Sequence, residues 1–391
     1  MTPAARLQAA IEVLDEVVAS AREDGPPADA IVTRYFKTRR YAGSKDRRAV
    51  RELVFRAIRR SAKRPASGRA AVLGLAEEES ALLELFGQPR GPEPLGDGET
   101  ATEASFVPEW IVPRLSPLVE PEEWSALLER APLDLRVNIA RASREQLLSD
   151  IPDAEPTPIS PWGIRLPPDS RVDDHAAFEA GLVEIQDEGS QLIALACAPE
   201  DGQRIVDLCA GAGGKALALA AAAPGSAILA TDSNRARLAN LDPRAERARA
   251  MIESRLLNPP RELDELDDVR GEADVVLVDA PCSGSGTWRR NPEGRWRLTP
   301  ERLDRLLSVQ ERLLNIGAEL VRPGGRLVYA VCSILTDEGA GQVERFLERH
   351  SSWISEGTGI SAGRPDGAGF LLTPANDRTD GFFVARLRRP C

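Results

Sequence analysis

Residues 273–286 read ADVVLVDAPCSGSG. An apolar run of strand length ends here in a carboxylate, a proline and a cysteine, and a Ser/Gly loop follows. Runs of this kind are expected in strands buried on both faces of a parallel sheet. Similar runs stand on either side: RIVDLCAG (204–211), SAILATD (226–232) and MIESRLLN (251–258) upstream, RLVYAVCS (326–333) downstream. Helical patterns separate most of them, so the alternation predicts an α/β fold with a mostly parallel sheet and helices on both faces. Ligands of such sheets bind beyond the carboxyl ends of the strands. The unusual residues gather there in the sequence: Asp207 to Lys215, Asp232, Asp279 to Cys282, and Cys332.

Upstream of this region the chain changes character. LQAAIEVLDEVVASA (7–21), AVRELVFRAIRR (49–60) and EESALLELF (78–86) repeat apolar residues at helical spacing. The stretch GQPRGPEPLGDGETATEAS (87–105) breaks that pattern as a linker. Next come short helices such as EEWSALLER (122–130) and extended segments such as LDLRVNIA (133–140) and SPWGIRLPP (160–168). The expected domains are a helical region over 1–100, a small α+β adaptor over 101–171 and the α/β domain over 172–391. A length of 391 residues suits more than one core.

Five cysteines without paired spacing, and an odd count, point away from a secreted disulfide scaffold. No apolar run reaches membrane-spanning length, and the first residues lack the layout of a signal peptide. The expectation is a cytoplasmic monomer. The net charge of -11 disfavours nucleic acid on average, but partners meet local surfaces. Residues 34–64 carry thirteen Lys or Arg against two acids, a local charge of +11, with Tyr35, Phe36 and Tyr41 interleaved. That mixture suits phosphate contact and base stacking as well as a solvated helical face, and Arg39, Arg40 and Lys45 are its candidate RNA contacts. A second such stretch, TWRRNPEGRWRLTPERL (287–303), packs Trp288, Arg289, Arg290, Arg295, Trp296 and Arg297 together. It reads as an RNA-contacting segment or a structural flap, with Arg289 and Arg290 as the candidate contacts.

VDLCAGAGGK (206–215) places Gly211, Gly213 and Gly214 with Ala210 and Ala212 at a strand-to-helix turn. The phosphate-loop pattern fails because Ala216 stands where a Ser or Thr is needed, and the dinucleotide pattern GxGxxG fails as well. What remains is a loop for a nucleoside-bearing ligand. Asp232 ends the second strand, where an acid binds ribose hydroxyls or caps the next helix. Asn258 ends the third, where an amide can meet an adenine edge or form a turn. Cys197 and Cys209 read as buried structural thiols. Cys282 and Cys332 end strands on the ligand edge, and SILTDE after Cys332 reads as a loop and helix N-cap that favours thiolate. The two histidines, His175 and His350, stand in no motif, and no zinc spacing exists. The chemistry therefore falls to thiols, carboxylates and Lys215.

QDEGSQLIA (186–194), DLCAGAGGK (207–215), ATD (230–232), VDAPCSGSGTWRRNPE (278–293), RPGGRLVYAVCSI (322–334) and DGFFVARL (380–387) together resemble the RsmB-type, or Sun, family of RNA cytosine-5 methyltransferases. APLDLRVN (131–138) is similar to that family's RNA-binding adaptor, and the basic helical N-terminus to a NusB-like domain. The resemblance implies a Rossmann-like class I methyltransferase domain, S-adenosylmethionine as cofactor, RNA as partner with 16S rRNA as substrate, and no metal. It implies that Cys209, Ala210, Gly211, Ala212, Gly213, Gly214, Lys215, Asp232, Asn258 and Asp279 line the cofactor pocket. It further implies that Cys332 is the nucleophile toward C6 of cytosine, that Cys282 assists release, that Asp279 and Lys215 serve the base, and that Arg136 of the adaptor contacts RNA. Where the family commonly carries an acid this chain has Asn258, and Val331 replaces a threonine before the nucleophile. The alternatives are a tRNA cytosine-5 methyltransferase, a DNA cytosine-5 methyltransferase, whose nucleophile is the Pro-Cys cysteine, and a noncatalytic ribosome-assembly factor on the same fold.

Overall fold

The computed structural model describes residues 1–23, 25–168 and 170–391, which divide into two compact units. The first unit comprises Met1–Arg114, Pro121–Glu129 and Thr287–Pro300. Its helices are α1 (Pro3–Arg22), α2 (Ala28–Lys37), α3 (Ser44–Arg60) and α4 (Gly68–Glu78). The Thr2 side chain caps α1 by accepting from the Ala5 amide, and Ser67 caps α4 by accepting from Ala70. Leu7, Leu14, Val17, Ile31, Val50, Val54, Ile58 and Leu75 are buried in one cluster, as the helical spacing requires. Gly68 is needed for the close α1–α4 contact, since a Cβ there would lie 2.2 Å from the Ile11 carbonyl oxygen.

The second unit comprises Leu115–Glu120, Arg130–Gly286 and Glu301–Cys391, and holds two sheets. The small one is antiparallel, in the order β2 (Glu155–Pro156), β3 (Gly163–Leu166), β1 (Leu133–Val137), β4 (Val183–Ile185). Along β1 the side chains alternate: Leu135 and Val137 enter a cluster with Ile164 and Val183, while Asp134 and Arg136 lie on the other face. β4 follows residue 171, so the small sheet crosses the expected domain boundary. A three-residue strand finds its place only by pairing with β1.

The large sheet contains β5 (Arg204–Asp207), β6 (Ala227–Asp232), β7 (Glu253–Leu256), β8 (Ala273–Asp279), β9 (Val321–Val331), β10 (Ile354–Glu356), β11 (Arg364–Asp366), β12 (Gly369–Leu372) and β13 (Phe382–Arg388). The order is β11-β12-β13-β9-β8-β5-β6-β7, with β10 on β13. Strands β9-β8-β5-β6-β7 run parallel, and β10 to β13 add an antiparallel wing. This is a Rossmann-like fold. Val275, Val276, Leu277 and Val278 of β8 are all fully buried, as a run covered on both faces must be. No helix among the described residues is long and apolar enough to cross a membrane.

Two segments depart from the sequence reading. EEWSALLER forms only a 3-10 turn at Pro121–Glu123 and belongs to the helical unit. The Arg/Trp stretch also belongs there, over Thr287–Pro300, and not to the α/β domain.

Candidate active site

At the carboxyl end of β5 the chain turns through Leu208 to Gly213 into α5 (Gly214–Ala222). Gly211 and Gly213 adopt φ of +56° and +79°, which only glycine takes without strain. The Gly211 amide donates to Asp232 Oδ2 at 2.8 Å, and the Asn234 amide to Oδ1 at 2.7 Å, so Asp232 braces the loop from the end of β6. From the small sheet, Glu184 pairs with Arg244, whose Nη1 donates to the Ala212 carbonyl at 2.6 Å.

Behind the loop, Lys215 Nζ lies 2.6 Å from Asp279 Oδ2 at the end of β8. Burial opposes the Lys215 ammonium, but Asp279, its hydrogen bond and Asp207 outweigh it and hold the group above the usual lysine range. Asp207 is fully buried, and its two carboxylate oxygens have no hydrogen-bond partner among the described residues. Burial and the Asp279 charge push its carboxyl up to about 7 against the pull of Lys215. An orphaned buried anion beside a glycine loop fits a ligand carrying positive charge, as the ammonium and sulfonium of S-adenosylmethionine do. The Cys209 thiol is held well above the usual range by burial and by Asp207.

Cys282, three residues beyond β8, and Cys332, at the end of β9, approach to 3.3 Å between Sγ atoms, both half-buried and unbonded. Contact with the Cys332 sulfur, burial and the Glu338 charge all push the Cys282 thiol well up, so it keeps its proton. Helix α6 (Ala340–Arg349) starts beyond Glu338, so the SILTDE loop does not put Cys332 at a helix N-terminus. Cys197 is fully buried in the core, as expected of a structural thiol.

The remaining expected residues fare unevenly. Asn258 is exposed, and its backbone and side-chain amides both donate to Glu265, at 2.8 and 2.6 Å. Arg136 is only 2% exposed; it faces Glu184 across the β1–β4 register, and burial lowers its guanidinium to about 10. The expectation of a direct Arg136–RNA contact is therefore corrected: no guanidinium surface is offered. Arg289 is corrected for the same reason, at 6% exposure, and Arg290 is half-buried. The stretch around them is built inward: Arg295 donates to the carbonyls of Ile58, Phe106 and Pro292, and Trp296 Nε1 to the Ser61 carbonyl at 2.9 Å.

In the basic segment Arg39 stacks 3.6 Å over the Tyr35 ring and pairs with Glu12 at 3.4 Å while staying partly exposed. Arg34, Arg51, Arg56 and Arg60 pair with Glu16, Asp29, Glu79 and Glu77, and Tyr35 and Phe36 are core. Arg40 and Lys45 stay exposed beside Tyr41, which is 73% exposed. Sequence reasoning missed Asp207 as a site residue in its own right, and missed Gln310 and the role of Glu338, which meet the cysteine loops only through the fold.

Comparison with known proteins gives a consistent picture. The family described as 16S rRNA methyltransferase RsmB/F matches residues 194–388. Ribosomal RNA small subunit methyltransferase B of Photorhabdus laumondii subsp. laumondii is 33% identical over 292 residues, covering 72% of this chain and 66% of that protein. The protein of the same name from Salmonella arizonae is 33% identical over 310 residues, covering 76% and 70%. The chain thus spans slightly less than two-thirds of the length of the first of these relatives. Among solved structures, PH0851 superposes with a TM-score of 0.76 at 21% identity, covering 100% of this chain and 99% of that one. NSun6 from Pyrococcus horikoshii, solved with SFG, gives 0.61 at 20% identity, covering 68% and 92%. These two likenesses establish the fold.

Proposed function

Because the chain belongs to the 16S rRNA methyltransferase RsmB/F family, we propose that it methylates C5 of a cytosine in RNA, with 16S rRNA as substrate and S-adenosylmethionine as donor. The observation that carries this reading is the pair of thiols at 3.3 Å on two neighbouring strand ends, beside a buried lysine–carboxylate pair. Carbon C5 of cytosine is a weak nucleophile until a thiolate adds to C6 and makes C5 enamine-like. Cys332 supplies that thiolate: its sulfur bonds to C6 and the electron pair moves toward C5 and N3. Asp279, with Lys215 against it, faces N3 and stabilises the electron-rich ring. Once C5 carries its methyl group, water takes the C5 proton, the C5–H electron pair forms the C5=C6 bond, and the S–C6 bond breaks with its pair on the Cys332 sulfur; Cys282, holding its own proton, donates a hydrogen bond to that departing thiolate.

Residues 209–215 with Asp232, Asn258 and Asp279 would hold S-adenosylmethionine, and Asp207 adds a buried negative charge behind the loop. When bound, that cofactor supplies a methyl group activated by a sulfonium. The helical unit serves as a NusB-like RNA-binding domain, with Arg40, Lys45 and Tyr41 as its exposed contacts.

The test is transfer of labelled methyl to 16S rRNA fragments, with the product mapped by bisulfite sequencing. Cys332→Ala is expected to abolish methylation, and Cys282→Ala to leave a covalent RNA adduct. An adduct formed by Cys332→Ala would reverse the two roles, and a wild-type protein that leaves every cytosine unmethylated would sink the assignment.

A further inference from the structure

Glu338 is fully buried and, among the described residues, has no ion pair. Its Oε1 accepts from the Ser283 amide at 2.8 Å and from Gln310 Nε2 at 2.9 Å. Its Oε2 accepts from the Ser283 and Ser333 hydroxyls. Ser283 follows Cys282 and Ser333 follows Cys332, so one carboxylate bonds the neighbour of each thiol. Gln310 also donates to the Pro281 carbonyl at 2.9 Å, and the Gly286 amide to the Cys332 carbonyl at 3.0 Å. A buried carboxylate without a counter-ion is costly, and all four donors here are neutral. They satisfy its lone pairs without cancelling its charge, which acts on the Cys282 thiol.

We propose that Glu338 is a positioning residue whose buried carboxylate ties the Cys282 and Cys332 loops together and restrains the reactivity of the Cys282 sulfur. This rests on Cys332 being the nucleophile and Cys282 the releasing thiol. The titratable groups that interact electrostatically with the pair are Glu338 and Tyr329, with Cys282, and Lys215, with Cys332; the Tyr329 hydroxyl donates to the Glu338 backbone carbonyl at 2.7 Å. The Cys332 sulfur and burial raise the Cys282 thiol most, and the Glu338 charge adds to them. Glu338→Gln removes that charge but keeps the shape, because the two serine hydroxyls can turn to accept from the new amide.

The experiment is site-resolved alkylation of the full chain by iodoacetamide, read by peptide mass spectrometry from pH 6 to 10, alongside steady-state methylation. In Glu338→Gln the Cys282 rate at pH 8 is expected to rise about tenfold. Its kcat should fall about tenfold with KM for RNA unchanged. Glu338→Asp, which keeps the charge, is expected to leave Cys282 slow. An unchanged Cys282 rate in folded Glu338→Gln overturns the proposal. If Glu338→Gln does not fold, Glu338→Asp decides, since a fast Cys282 there would mean that packing and not charge protects the thiol. A wild-type protein without RNA methylation would defeat the functional reading alone, because the alkylation rates do not depend on it.

Discussion

Two charge-rich regions of this chain use their charges in opposite ways. In the helical unit, Arg295 is closed onto backbone carbonyls and Arg34, Arg51, Arg56 and Arg60 onto carboxylates on or next to neighbouring helices, so part of the charge of the strongly basic segment is neutralised once folded. At the carboxyl edge of the large sheet the groups are fewer and left poised: the Asp207 oxygens have no hydrogen-bond partner among the described residues, Lys215 holds Asp279, and two thiols touch. A buried polar group whose bonds are complete reads as structure, and one whose bonds are incomplete or coupled reads as chemistry.

Experiments can break that contrast, from the largest expected effect to the smallest. Lys215→Met leaves Asp207 and Asp279 as unneutralised neighbours and should lower kcat by about a thousandfold without unfolding the protein, measured by single-turnover methylation. A variant with full activity would put the lysine on the structural side of the contrast. Arg295→Leu strands the carbonyls of Ile58, Phe106 and Pro292, so a loss of about 3 kcal/mol in the thermal unfolding of the protein is expected. A mild loss would mean that the arginine is not the structural bolt described.

Asp207 gives a signed pH test. Its folded carboxyl is raised to about 7, against about 3.9 when unfolded. Its contribution to stability is therefore complete below about pH 4 and is lost as the pH rises through about 7. Without ligands, Asp207→Asn should be more stable than the wild type at pH 8 by about 4 kcal/mol and nearly equal to it at pH 4, by calorimetry. Equal melting at both pH values would remove the orphaned charge from the site. The smallest effect concerns RNA. Arg40→Ala and Lys45→Ala should each reduce the salt slope of RNA binding by about one, and Tyr41→Ala should weaken binding by about 1 kcal/mol. Arg39→Ala, already paired with Glu12, should leave RNA binding unchanged; a loss as large as that of Arg40→Ala would place it on the RNA surface.

The parallel core was legible because its strands carry their own signal. ADVVLVDAP is apolar enough to demand cover on both faces, and Asp232, Asp279 and Cys332 stand where such runs end. What was not legible depends on pairing across long separations. Nothing in VEI at 183–185 announces a strand until LDLRV offers it an edge. The density of Arg and Trp at 287–300 resembles a nucleic-acid surface until the carbonyls of residues near 58 and 106 are seen to receive it. The +11 segment could not disclose that its counter-charges lie on α1, on α2 and near the end of α4. Glu338 looked like part of a helix cap because its four donors come from residues 283, 310 and 333.

Strand β13 lies between β9 and β12, and the Gly381 amide donates to the Gly286 carbonyl at 2.8 Å. The contact is tight enough that a Cβ at Gly286 would sit 1.9 Å from the Gly381 oxygen. The consequence is one of timing on the ribosome. The glycine loop and β8 can be assembled early in synthesis, but the loop that follows Cys282 has no wall until residues 381–388 have emerged and paired. A nascent chain therefore carries both thiols for roughly fifty residues of elongation, from Cys332 to β13, before that strand closes the loop beside them.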